Sequence, residues 1–139
     1  MLVSARMKYT QELCQTASHM ILVQVQQVRS AQGLVTAVLY GDKPDDFLAK
    51  GKKLAKIRVP AQQDTVHICL IAPNPGRYAL VVYHDENGNK KFDKNMVGLP
   101  IEGFGISNNP EFFLVPPHHD EAAFLVVNDQ TSVAIAIKY

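Results

Sequence analysis

The stretch Ile21-Leu22-Val23-Gln24-Val25-Gln26 decides the fold. Ile21, Val23 and Val25 fall on one side of an extended chain, and Leu22, Gln24 and Gln26 fall on the other. That is the period of two expected of a strand with one buried face. The same period returns downstream. Val35, Ala37 and Leu39 alternate with Thr36, Val38 and Tyr40, after a turn at Ser30 to Gly33. Gly41 to Asp46 breaks the pattern, and Phe47-Leu48 is expected to begin a single helical turn that drops Phe47 onto the core. Ala55, Ile57 and Val59 form a third strand that stops at Pro60, and Val66, Ile68 and Leu70 form a fourth. After the turn Pro73-Asn74-Pro75-Gly76, Tyr78 to Tyr83 is apolar throughout, which fits a central strand covered on both sides. Gly98 to Pro117 reads as irregular, Ala123 to Val127 as a strand, and Val133, Ile135 and Ile137 as the last strand.

About seven strands with short connections favour antiparallel pairing. Buried faces on alternating residues imply two packed sheets, an antiparallel β-sandwich of immunoglobulin or prealbumin type, with a closed barrel as the alternative. Residues 20–139 form one such domain, and residues 1–19 form a flexible or short helical leader. The length of 139 residues agrees with one domain. Apolar residues at 47% against 19% charged exclude a disordered chain. A net charge of +1 argues against a nucleic-acid binder, and no apolar run is long enough for a membrane span. Cys14 and Cys69 are too few for a disulfide framework or a structural zinc site, and a single pair fits either redox compartment. On its strand, Cys69 reads as a small packed residue. Arg6, Lys8 and Glu12 interrupt the leader, so no export signal is legible.

The segment His84-Asp85-Glu86-Asn87-Gly88-Asn89-Lys90-Lys91-Phe92-Asp93 carries the most chemistry. Asp85, Asn87, Asn89 and Asp93 set side-chain oxygens at loop positions one, three, five and nine. Lys91 at position seven offers its carbonyl. That spacing wraps a hard cation such as calcium. The glycine at position six and the glutamate at position twelve of an EF-hand are replaced by Lys90 and Met96, and the flanks read as strands. The expected form is therefore a shorter loop capping a strand end, with Glu102 as a distant extra ligand. The same residues also suit a metal-free turn, since Asn87-Gly88 is a hairpin signal.

Catalytic constellations are poor. Gly105-Ile106-Ser107 lacks the second glycine of a nucleophile elbow because position 109 is Asn. His118-His119 follow prolines in an expected exposed loop. His67 alternates along a strand and is expected at the surface or an edge. His84 is expected to pack or hydrogen-bond at the root of the loop; a small hydrolase-type enzyme using His84 and Asp85 beside residues 98–109 is the alternative. The leading expectation is a non-enzymatic module, calcium-stabilised, that binds an unknown ligand or protein partner.

Tyr78-Ala79, the run His84 to Asn89, Asp93, and the block Gly98 to Asn109 resemble the uncharacterised bacterial family designated domain of unknown function 2141. The opening strands and the ending, from Pro116-Pro117 to Tyr139, resemble it too. The resemblance spans residues 20–139. It implies a small periplasmic or secreted β-sandwich whose divalent-ion site falls on Asp85, Asn87, Asn89 and Asp93. If the N-terminus shown is native, the expectation from the leader is cytoplasmic. The ending Ala136-Ile137-Lys138-Tyr139 lacks the Tyr-Arg-Gly-Ser terminus of transthyretin-like hydrolases.

Overall fold

The computed structural model describes residues 14, 18–88, 102–111 and 117–139. Their chain order is β1 (Met20–Val28), β2 (Leu34–Tyr40), a 3-10 turn (Pro44–Asp46), β3 (Ala55–Pro60), β4 (Asp64–Ile71), β5 (Gly76–Asp85), β6 (Gly103–Ile106), a short helix (His119–Ala122), β7 (Phe124–Val126) and β8 (Gln130–Ala136). One sheet has the order β4-β1-β8; the other runs β3-β2-β5-β6, with β7 pairing with β5. This is an all-β, two-sheet sandwich.

Alternation explains the core between the sheets. Ile21, Val23 and Val25 of β1 meet Ile68 and Leu70 of β4, Ile135 of β8, Val35, Ala37 and Leu39 of β2, and Leu80 and Val82 of β5. A β-bulge between Gln26 and Val28, with Gln27 at φ 61°, turns Val28 back inward although strict alternation would point it out. The other side of β5 is also covered. Val38, Tyr40, Ala79, Val81, Tyr83, Ile106 and Ala122 make a second apolar cluster on the outer face of the five-stranded sheet. The continuous apolar reading of Tyr78 to Tyr83 thus corresponds to a strand buried on both faces.

Some expectations are corrected. The described chain has eight strands where about seven are expected; the addition is Gly103–Ile106, inside the segment expected to be irregular, which pairs with β5. The pattern Gly-Phe-Gly-Ile reads as a breaker, yet the glycines fit because β6 runs close to the end of the chain. A Cβ on Gly105 would stand 2.6 Å from the Ala136 carbonyl oxygen. Phe104 and Lys138 exchange backbone hydrogen bonds at 3.0 and 2.9 Å, and the Asn109 side chain bonds Ala136 N at 2.9 Å. These contacts join the two sheets along one margin. Pairing is not uniformly antiparallel: β8 lies parallel to β1, with Val133 beside Val23. Phe47 follows the 3-10 turn with extended backbone and packs against the outer cluster, not the main core.

Cys69 is not a free packed residue. It forms a disulfide with Cys14 across a Cα–Cα distance of 6.0 Å. Cys14 is buried, so the chain before β1 is tied to β4.

Candidate functional site

The loop that carries the cation pattern leaves the sheet at Asp85, the last residue of β5, whose ladder partner is Leu34. Strand parity separates its neighbours. His84 shares a face with Val82 and points toward the inner side; Asp85 shares the outer side with Tyr83. Both are fully buried. The turn before β2 packs against this strand end. Gly33 adopts φ +72°, and a Cβ there would collide with the Asp85 carbonyl oxygen, so only glycine allows the approach.

A polar cluster holds this root. His84 Nε2 and the Gln32 carbonyl oxygen are 2.7 Å apart, and His84 Nδ1 and the Tyr139 hydroxyl are 2.7 Å apart. A carbonyl can only accept, so Nε2 carries a proton; in the neutral imidazole Nδ1 then accepts from the Tyr139 O–H. The Tyr139 oxygen accepts in turn from the Arg29 backbone N–H at 2.9 Å. The Arg29 guanidinium lies 4.3 Å from the centre of the Tyr139 ring. It also pairs with Glu86, donating from Nε at 3.0 Å and from Nη2 to the same carboxylate oxygen. Ser30 Oγ donates to the other Glu86 oxygen at 2.9 Å. The Arg29 hydrogen bond, more than any other influence, holds the Glu86 carboxyl below its ordinary range. Burial pushes the Tyr139 phenol up.

This arrangement sorts the predicted ligands. Asp85 is buried at the strand end; Asn87 is exposed in the turn, where Gly88 at φ +68° bonds back to the Asp85 carbonyl at 3.3 Å. The predicted ligands Asn89, Lys91 and Asp93 lie outside the described residues. Glu86 faces Arg29 and Ser30 and serves as a clamp on the root. Gly103 pairs with His84, which brings Glu102, the residue just before β6, alongside the end of β5. Both Glu102 carboxylate oxygens are buried. Among the described residues, no group of three or more His, Cys, Asp or Glu side chains stands together as a metal cage.

The other candidates resolve into structural roles. With both ring nitrogens occupied, His84 packs at the loop root. Ser107 is fully buried; its Oγ accepts from Leu80 N at 3.0 Å and donates to the Ala122 carbonyl at 2.5 Å. His67 is exposed on the edge strand β4. His119 departs from the exposed-loop expectation: it is 5% exposed, bonds the Gly41 carbonyl through Nε2 at 2.8 Å, and meets the Phe47 ring edge-on. The backbone caps explain why. Pro117 leads into an extended His118 that starts a helical turn, and the turn swings His119 inward. Sequence reasoning passed over Arg29 and Tyr139, 110 positions apart. No local pattern marks a pair at that separation.

A family model described as an uncharacterized protein conserved in bacteria, DUF2141, matches residues 23–134. No curated protein and no solved structure matches the chain.

Proposed function

Because the chain belongs to the DUF2141 family, a bacterial family with no assigned activity, we propose that it is a non-enzymatic β-sandwich module whose Asp85 loop binds a hard cation of the calcium type. The ligands in this reading are the side-chain oxygens of Asp85, Asn87, Asn89 and Asp93, with the carbonyl of Lys91. The observation that carries it is the fixed position of Asp85. Its backbone is held in the β2 ladder and against Gly33, while Glu86 beside it is already neutralised by Arg29. A carboxylate anchored at a rigid strand end loses little freedom when it takes an ion, and a hard cation prefers such oxygens. The bound ion stabilises the folded chain by mass action and stiffens the loop offered to a ligand or protein partner. Calorimetric melting with calcium and with chelator tests this. A rise in midpoint with calcium is expected; an unchanged midpoint at millimolar calcium reduces the loop to a turn.

The Cys14–Cys69 disulfide favours a second part of the same reading, residence in an oxidising compartment such as the periplasm or the outside of the cell. Fractionation of cells expressing the full gene, read on non-reducing gels, tests it. Reduced protein confined to the cytoplasm overturns it.

A further inference from the structure

The outer face of the five-stranded sheet carries three cations that no ion pair joins to an acid among the described residues, with Asp85 on the same face two positions beyond Tyr83. On β3, Ala55, Ile57 and Val59 pack against the main core, so Lys56 and Arg58 take the opposite face. There Arg58 stands across the ladder from Thr36, Lys56 from Val38, and Tyr83 flanks Thr36 from β5. Lys53 lies two positions before β3, on the approach to Lys56. The ion pairs among the described residues engage Arg29 and Arg77 instead. Burial first, and neighbouring cations after it, hold both lysines below their ordinary value. Like charges gathered this closely repel unless an anion joins them.

Two donors sharpen the point. Arg58 Nε and Thr36 Oγ1 are both buried without a hydrogen-bond partner, and Thr36 is wholly inaccessible. Buried donors are rarely left so. β3 is an edge strand, and charge on an edge discourages pairing with other chains. Edge protection accounts for one lysine outward; it does not account for three cations, one of them Arg58 with an unsatisfied Nε, beside the unsatisfied Thr36 hydroxyl.

We propose that this face binds a small phosphate-class oxyanion, with the Arg58 guanidinium as the principal donor, Lys53 and Lys56 as point charges, and the Thr36 hydroxyl as a donor from the sheet. A guanidinium matches two oxyanion oxygens at once. The anion meets Arg58 first; rotation of the long Lys56 and Arg58 stems then opens Thr36 to it. The site shares no residue with the cation loop.

Isothermal titration of the full chain with inorganic phosphate, in chloride buffer of matched ionic strength and with chelator present, tests the assignment. Saturable one-site binding is expected. Arg58→Gln is expected to weaken it by about tenfold, the scale of one lost charge-assisted hydrogen bond. Thr36→Val keeps the side-chain shape and is expected to weaken it about threefold without lowering the melting midpoint. Glycerol phosphate as a second titrant separates the sources: tighter binding than phosphate indicates an organic phosphate, and equal binding indicates the free ion. Absence of saturable heat overturns the proposal. So does an Arg58→Gln protein that binds like the parent, or chloride stabilising the fold as much as phosphate does, which would be screening alone.

Discussion

Tyr139 and His84 are 55 positions apart and share a 2.7 Å hydrogen bond between hydroxyl and imidazole. Through it Tyr139 reaches the end of β5. The same hydroxyl accepts from the Arg29 backbone, so one oxygen joins three distant segments of the chain. Tyr139→Phe is expected to cost about 1 kcal/mol of stability, since it leaves the buried His84 ring nitrogen unmet while the exposed Arg29 N–H turns to water. Chemical denaturation of both proteins checks this. A change within error would show that the cluster rearranges without the hydroxyl.

The cation assignment predicts an order of effects. Asp85→Ala is expected to abolish calcium-dependent stabilisation while the strands stay folded. Asn87→Ala is expected to weaken it less, because a neutral amide oxygen attracts the ion less than a carboxylate does. Melting of each variant with calcium and with chelator, alongside circular dichroism, gives the answer. An Asp85→Ala protein that melts higher than the parent in chelator and still responds fully to calcium would place any ion elsewhere.

The disulfide closes a loop between positions separated by 55 residues. In the chain-entropy description a loop of that size is worth about 4 kcal/mol. The Cys14→Ser and Cys69→Ser double variant, and the parent protein under reducing conditions, are both expected to unfold at lower denaturant by a similar amount. If reduction lowers stability and the double variant does not, the loss comes from exposed thiols and not from the missing cross-link.

Ser107 supports its neighbours from within. Ser107→Ala removes the acceptor of the Leu80 N–H and the donor to the Ala122 carbonyl, both buried. About 2 kcal/mol of destabilisation is expected. Faster hydrogen exchange confined to the short helix His119–Ala122 would show it detaching first.

What the sequence revealed follows from how local each signal is. Strands such as β1 and β4 were legible because each carries its own period of two. The double burial of β5 was legible because its residues are apolar at every position from Tyr78 to Tyr83. β6 was hidden because Gly103 and Gly105 answer to the chain end at Ala136 and Tyr139, not to their own strand. The parallel β1–β8 pair was hidden because a short turn implies an antiparallel neighbour, whereas these strands meet across almost the whole chain. His84 as a packed loop-root residue was read correctly. The Arg29–Glu86 clamp was not, because Arg29 belongs to no motif and Glu86 falls between the ligand positions of the loop.

The parallel pairing of β8 with β1 also orders events in time. β1 lies at the start of the described fold and β8 at its end, so during synthesis the central strand of the three-stranded sheet waits with one hydrogen-bonding edge open. Among the described residues, no strand before β8 pairs on that side. The sheet therefore completes only after residues 130–136 have left the ribosome, and the long sequence separation makes that last step slow. A chain built this way keeps one edge of β1 unpaired until residues 130–136 join it.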